Sequence, residues 1–186
     1  NQTIDYIIGN LYDSKAIGFR GSQGAHSDYY NLSKPERMDL PNPEIDEWCY
    51  VNLSAQTASV LFRAYWILER PDLREVGRLV LDKLIAKSRD NDLFHVFKPE
   101  SSESHRLMLL CDWASLLNVL MDSHNWDNSN QKSLAMAVEI AGTLVSVFYD
   151  KENGGFFDTA EDENAVGYLK LREKPLPDNL LAIEGL

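Results

Sequence analysis

The sequence predicts a mainly α-helical protein, on three observations. Long apolar stripes recur with helical spacing, polar or glycine- and proline-bearing turns separate them, and only Leu93–Phe97 reads as a good strand. The chain alternates helix, short turn, helix through six helical segments, enough for three hairpins. A fold built on a central sheet is disfavoured.

The elements follow in order. Ile4, Ile7, Ile8 and Leu11 mark one face of a first helix, which closes in a turn at Gly18-Phe19. The stretch from Gly18 to Tyr50 is read as non-helical. It carries Pro35, Pro41 and Pro43 together with aromatics, which argue for a functional loop rather than a disordered one. Leu53–Leu68 and Asp72–Lys87 form a helix pair, the second starting with a capping-box pattern at Asp72 and Glu75 after Pro71. His105–Met121 and Gln131–Phe148 form another. Their stripes are wider than a one-sided surface helix needs, so each is expected to have neighbours on two sides.

Two corners repeat. Leu11 to Phe19 reads LYDSKAIGF and Phe148 to Phe157 reads FYDKENGGFF. Each ends a helix with Tyr-Asp, turns through polar residues to Gly, and returns to the core on Phe. Such a repeat implies two equivalent corners in one architecture.

Composition narrows the partners. With 44% hydrophobic and 10% aromatic residues over 186 positions, the chain is an ordinary globular protein with one sizeable core. Its net charge of −11 repels nucleic-acid phosphates and anionic lipid, and no apolar run approaches a membrane span. Cys49 and Cys111 are too few and too far apart for a disulfide framework or a Cys-x-x-Cys site, which points to reduced thiols and a cytoplasmic setting. The chain starts without Met, so its true start is expected to be missing. His95, His105 and His124 lack zinc-site spacing and are read as structural. No metal or cofactor is expected.

FRGSQGAHSDYY at Phe19 to Tyr30, DEWCYVNLSA at Asp46 to Ala55, GGFFDTAEDE at Gly154 to Glu163 and LREKPLPDN at Leu171 to Asn179 resemble, in that order, the helical region of the YyaL-like, spermatogenesis-associated family of thioredoxin-domain-containing proteins. The resemblance covers most of the chain. It implies part of an (α/α)6 toroid, the six-hairpin glycosidase-like fold of N-acylglucosamine 2-epimerases. Residues 1–186 are then a single helical domain, a fragment of a longer toroid without the thioredoxin-like domain. The repeated corners would share one rim, and uncovered hairpin flanks would favour self-association.

Two family motifs depart from type. Where the family reads Gly-Ser-Gln-Asp-Ala-Asp, this chain has Gly21-Ser22-Gln23-Gly24-Ala25-His26, and where it reads Asp-Trp-Asn, this chain has Asn52-Leu53-Ser54. Neither Gly nor Asn exchanges a proton near neutral pH. His26, beside Asp28, is the replacement with acid–base capacity, although an exposed loop histidine is the ordinary reading. Asp28, Asp46, Asp158 and Asp162 are the motif-linked carboxylates available for hydrolysis. The acidic run around Asp158 and Asp162 otherwise reads as a solvated turn.

For a saccharide ligand the resemblance implies Gln23, Tyr29, Tyr30, Tyr50, Asn52, Arg172, Asp178 and Asn179. A turn with a helix N-cap at Asp178 is the alternative for the last group. The loss of acidic positions with retention of turn glycines and packing aromatics favours a non-catalytic binding or scaffolding toroid. The alternative is a carbohydrate-active domain of epimerase or hydrolase type.

Overall fold

The structure is a computed structural model that describes residues 2–16, 18–25, 27–88, 93–98, 104–127 and 132–186, with residues 94 and 104–106 described by backbone alone. Helix α1 (Gln2–Tyr6) runs into a π-helical turn, Ile7–Leu11. The pair β1 (Tyr12–Asp13) and β2 (Gly18–Phe19) follows, then β3 (Gln23–Gly24) paired with β4 (Glu44–Ile45). Between β3 and β4 lie a 3-10 turn, Ser27–Asn31, and helix α2 (Lys34–Met38). The long stretch read as non-helical therefore contains a short helix. It is held by a capping box in which Ser33 and Glu36 bond reciprocally.

Strand β5 (Cys49–Tyr50) leads into α3 (Val51–Leu68) and α4 (Pro71–Lys87). After the hairpin β6 (Phe94–Phe97) and β7 (Ser104–Arg106) come α5 (Leu110–Trp126), α6 (Lys132–Thr143) with a π-helical continuation at Leu144–Phe148, and α7 (Leu176–Gly185).

Helix α5 lies between α3 and α7, while α4 packs on α3 and α6 on α5. Bonds between the helices fix their directions. Asn52, Gln56 and Ser59 of α3 meet Asp112, Ser115 and Asp122 of α5 in the same order, and α7 places Asp178 of its first turn near Cys111 and Asp112 before its Leu181 carbonyl accepts from Asn118. The three helices are thus parallel, forming an inner layer, with α4 and α6 returning outside it. This is the layout expected of part of an (α/α)6 toroid. Burial agrees with it, because α5 is enclosed all round: Trp113, Leu116, Leu117, Val119 and Leu120 cover its circumference and are almost completely buried.

The two complete hairpins, α3/α4 and α5/α6, are flanked by α1 and α7 rather than accompanied by a third pair. On the two outermost inner-layer helices, Leu53, Val60 and Ile67 of α3 and Leu176, Leu180 and Ile183 of α7 are exposed. In a closed ring these faces meet the next hairpins.

Three helix starts differ from the sequence reading. Helix α5 begins at Leu110, since His105 is held in β7 opposite Val96 and Leu109 bridges Thr159. Helix α4 begins at Pro71 without a side-chain cap, because Asp72 pairs with Arg70 at 2.6 Å instead of capping. Helix α7 begins at Leu176 after Pro175, which puts Asp178 inside the first turn rather than at the N-cap.

The repeated corners are built alike. In the first, Asp13 Oδ1 accepts the N–H groups of Lys15 and Ala16 and Oδ2 pairs with Arg20. In the second, Asp150 Oδ1 accepts those of Glu152 and Asn153 and Oδ2 pairs with Lys174. The aromatic pairs match too: Tyr12 and Phe19 stand 5.3 Å apart, Tyr149 and Phe156 5.4 Å. Gly155 is required at its place. Its φ is +78°, and a side chain there would press on Asn179 at 3.2 Å.

Candidate functional site

The N-terminal ends of α3, α5 and α7 open on one mouth, and the connections that precede them line it. The three-stranded sheet β5-β6-β7 stands at this mouth, with Tyr50 opposite Val96 and Cys49 opposite Phe97. The β6–β7 register shifts between Phe94 and Val96, so His95 sits on a bulge. A bulge re-aims the side chain that it carries.

Here it brings His95 Nδ1 to 2.9 Å from Asp112 Oδ2. Asp112, in the first turn of α5, is completely buried, and its Oδ1 accepts the Asn52 N–H from the start of α3. Two helix N-termini therefore face one carboxylate, which favours its ionised form electrostatically. Burial works against this and pushes the Asp112 carboxyl up, opposed by the bond to His95. His95 in turn is raised above its ordinary value by hydrogen bonding to Asp112, against the penalty of its own partial burial.

Tyr50 completes one wall. Its ring meets His95 edge-on, with centroids 6.1 Å apart, and burial and Asp46 hold its hydroxyl in the protonated form. The Tyr50 ring and Asp46 close over Gly21, where a β-carbon would lie 2.5 Å from the ring. Only glycine permits that approach.

On the other side, Asp178 in the first turn of α7 is pushed up by burial and by the charge of Asp158. Asp178 also raises Asp112 and Cys111, so it belongs to the same electrostatic group. The Cys111 thiol is pushed up to about 12, chiefly by burial, and that of Cys49 to about 11. Neither is a nucleophile near neutral pH.

The residues expected from sequence divide among several places. Asp46, Tyr50, Asn52, Asp158 and Asp178 line the mouth or brace it. Asp28 and Tyr29 line a separate open cavity of about 780 Å³ between the loops that connect β3 and β4, with Leu32, Pro41 and Glu44. Tyr30 is exposed, edge-on to Tyr29. Gln23 ties this loop to the fold, donating to the Pro43 carbonyl and accepting from the Tyr6 hydroxyl. Asp162 caps an exposed turn at Asn164. Arg172 donates to the Thr159 carbonyl and lies 4.1 Å over the Phe157 ring, while Asn179 bonds both backbone groups of Phe156. His26 lies outside the described residues. Among the described residues no group of three His, Cys, Asp or Glu is placed to hold a metal ion, and no helix is long and apolar enough to cross a membrane.

Sequence reasoning passed over His95 and Asp112. The signals were a histidine in the one good strand and a lone carboxylate in the apolar run Leu107–Leu117. An unforced carboxylate would not be placed there.

No protein-family profile matches the chain, and no curated protein does. Solved structures do. A cellobiose 2-epimerase from Spirochaeta thermophila matches with a TM-score of 0.71 at 16% identity, over 98% of this chain and 44% of that one. A sugar epimerase from a ruminal bacterium matches at 0.68 and 11% identity, over 98% and 45%. An unsaturated glucuronyl hydrolase from Bacillus sp. GL1 matches at 0.62 and 12% identity, over 96% and 48%. At these identities the likeness shows the fold, that of the six-hairpin glycosidase-like (α/α)6 toroids. The chain spans less than half the length of each of these structures.

Proposed function

We propose that this chain supplies part of the mouth of a carbohydrate-active (α/α)6 domain and that His95 moves a proton to or from the sugar there. The observation that carries the reading is the bond of His95 Nδ1 to the buried Asp112 at 2.9 Å. That bond fixes the ring and its tautomer and leaves Nε2 as the proton-exchanging nitrogen. Asp112 acts as a positioning residue, itself held by the Asn52 N–H.

Asp178, with its carboxyl held up by burial and Asp158, is the partner acid. A raised carboxylic acid and an oriented imidazole form a donor–acceptor pair suited to taking a proton from a sugar carbon and returning one to it, or to protonating a glycosidic oxygen while a water is deprotonated to attack the anomeric carbon. The epimerases and the hydrolase among the structural neighbours support this choice of substrate class by fold analogy. In this reading the loss of acidic residues at Gly24 and Asn52 does not remove the chemistry, because the proton carriers stand on β6 and α7.

A panel of reducing disaccharides, followed by NMR for epimerisation and by reducing-end release for hydrolysis, tests the reading. Turnover that falls about 10²–10⁴-fold in His95→Ala, at unchanged helix content, supports it. Turnover that survives His95→Ala overturns it. Saccharide binding without turnover by the native chain would favour the non-catalytic alternative.

A further inference from the structure

Counted as an outer helix that leads into an inner one, the chain holds three pairs: α1 into α3, α4 into α5 and α6 into α7. Helix α1 runs against α3. Asp5 near its start pairs with Arg70, just past the end of α3, and the corner after it meets the first turn of α3 through the Phe19–Ser54 bond. Six such pairs make an (α/α)6 ring, so this is half of one, in accord with the 44–48% of each structural neighbour that the chain spans.

The two faces left open match in height. On α3, Leu53, Val60 and Ile67 repeat every seven residues, and on α7, Leu176, Leu180 and Ile183 form one stripe. Two bonds from α5 side chains to backbone set the levels: Asp112 accepts the Asn52 N–H, and Asn118, six positions on, donates to the Leu181 carbonyl. Leu181 of α7 is therefore level with Ala58 of α3, six positions past Asn52. By the same count Leu176 is level with Leu53, and Ile183 with Val60.

We propose that a second copy of this chain closes the ring, turned by a twofold rotation about the ring axis, so that α7 of each copy seats against α3 of the other. This arrangement needs only the fold and no sugar. Such a rotation has no translation along the helices, so Leu176 meets Leu53 and Ile183 meets Val60 at both seams. It also keeps all six inner helices parallel, whereas turning one copy over would set α3 against α3 or α7 against α7. Each contact is made twice, so seams of about 600–1,000 Å² reach the roughly 1,200–2,000 Å² of a stable dimer. The charges on these helices stay out of the seams. Arg63 of α3 pairs with Glu184 of α7 and with Asp122 inside one copy, and Asp178 lies toward Asp112. The second copy's β5-β6-β7 sheet and α5 then supply the far wall of the mouth, and the ring carries two His95–Asp112 pairs.

Light scattering on a dilution series of the full chain should give twice the mass of one chain. The net −11 of each copy opposes association, so the dimer should tighten as salt screens that repulsion. Val60→Glu and Ile183→Glu each place a charge in both seams and should weaken the dimer by about tenfold or more at unchanged helix content by circular dichroism. Val60→Cys and Ile183→Cys in one chain should give a covalent dimer on mild oxidation, and neither cysteine alone should. A monomer at every concentration and salt overturns the proposal. So does a dimer that the paired cysteines fail to link, or that Ile183→Cys alone links, since α7 would then face α7. Masses that climb past the dimer overturn it too, because they show open polymerisation in place of ring closure.

Discussion

Ser54 and Asn179 stand at the same place on two inner helices and hold the same corner. Ser54 Oγ, in the first turn of α3, accepts the Phe19 N–H at 2.9 Å, and Asn179 Oδ1, in the first turn of α7, accepts the Phe156 N–H at 2.8 Å. The repeated Tyr-Asp-turn-Gly-Phe is thus half of a device whose other half lies on the next inner helix. The corner ties an outer-layer helix end to an inner-layer helix start, which fixes how the layers meet at the mouth.

Removing either acceptor strands a backbone donor. Ser54→Ala and Asn179→Ala should each destabilise the chain by about 1–3 kcal/mol. Asn179→Ala should be the larger, since Asn179 also donates to the Phe156 and Pro175 carbonyls. Urea unfolding midpoints measure both. A neutral Asn179→Ala would show the corner to be held by Phe156 packing alone.

The helices were legible because their stripes are continuous, as in Leu110–Leu120, and the corners because they repeat. The site was much less so. His95 acquires its role from a bulge in β6, and a register shift leaves no mark on hydrophobic alternation. Asp112 meets His95 only after α5 starts at Leu110, whereas the apolar stripe alone extends the helix back to His105. Asp178 is a ligand candidate from the resemblance, with an N-cap as the alternative; the N-cap alternative fails because Pro175 supplies the extended residue and the helix begins at Leu176.

The second corner should respond to acid. Lys174 first, then the Glu152 and Asn153 N–H groups, hold the Asp150 carboxyl far below the usual carboxylate range. A depressed folded value means stability that is present above pH 3.8 and is lost as pH falls through the folded value. Asp150→Asn should therefore lower the unfolding midpoint at pH 7 and show a much smaller difference at pH 2. Equal differences at both would show that Asp150 acts by shape rather than charge.

The His95–Asp112 bond has the opposite sign. His95 is raised above 6.5 by Asp112, so its contribution is fully present below pH 6.5 and disappears as pH rises through the folded value. His95→Gln should cost more stability at pH 5.5 than at pH 9. In the native chain an NMR titration should place His95 above its ordinary value, and Asp112→Asn should bring it down to or below 6.5. An imidazole that titrates at its ordinary value in both proteins would remove Asp112 from its positioning role.

Asp178 offers a test in which stability and function diverge. Burial first, and Asp158 second, disfavour its ionised form, so the folded state holds the proton more tightly than the unfolded one. For a carboxyl raised in this way, folding is favoured at low pH and stability declines as pH rises through the folded value. Asp178→Asn keeps the shape and abolishes the charge, so it should raise the unfolding midpoint at pH 7. That gain should vanish near pH 3, where native Asp178 is already neutral. A residue kept only for packing would be better as asparagine under every measurement. A residue kept as a proton donor would gain stability and lose turnover together, and turnover unchanged in the stabilised Asp178→Asn protein would remove Asp178 from the proton-transfer pair.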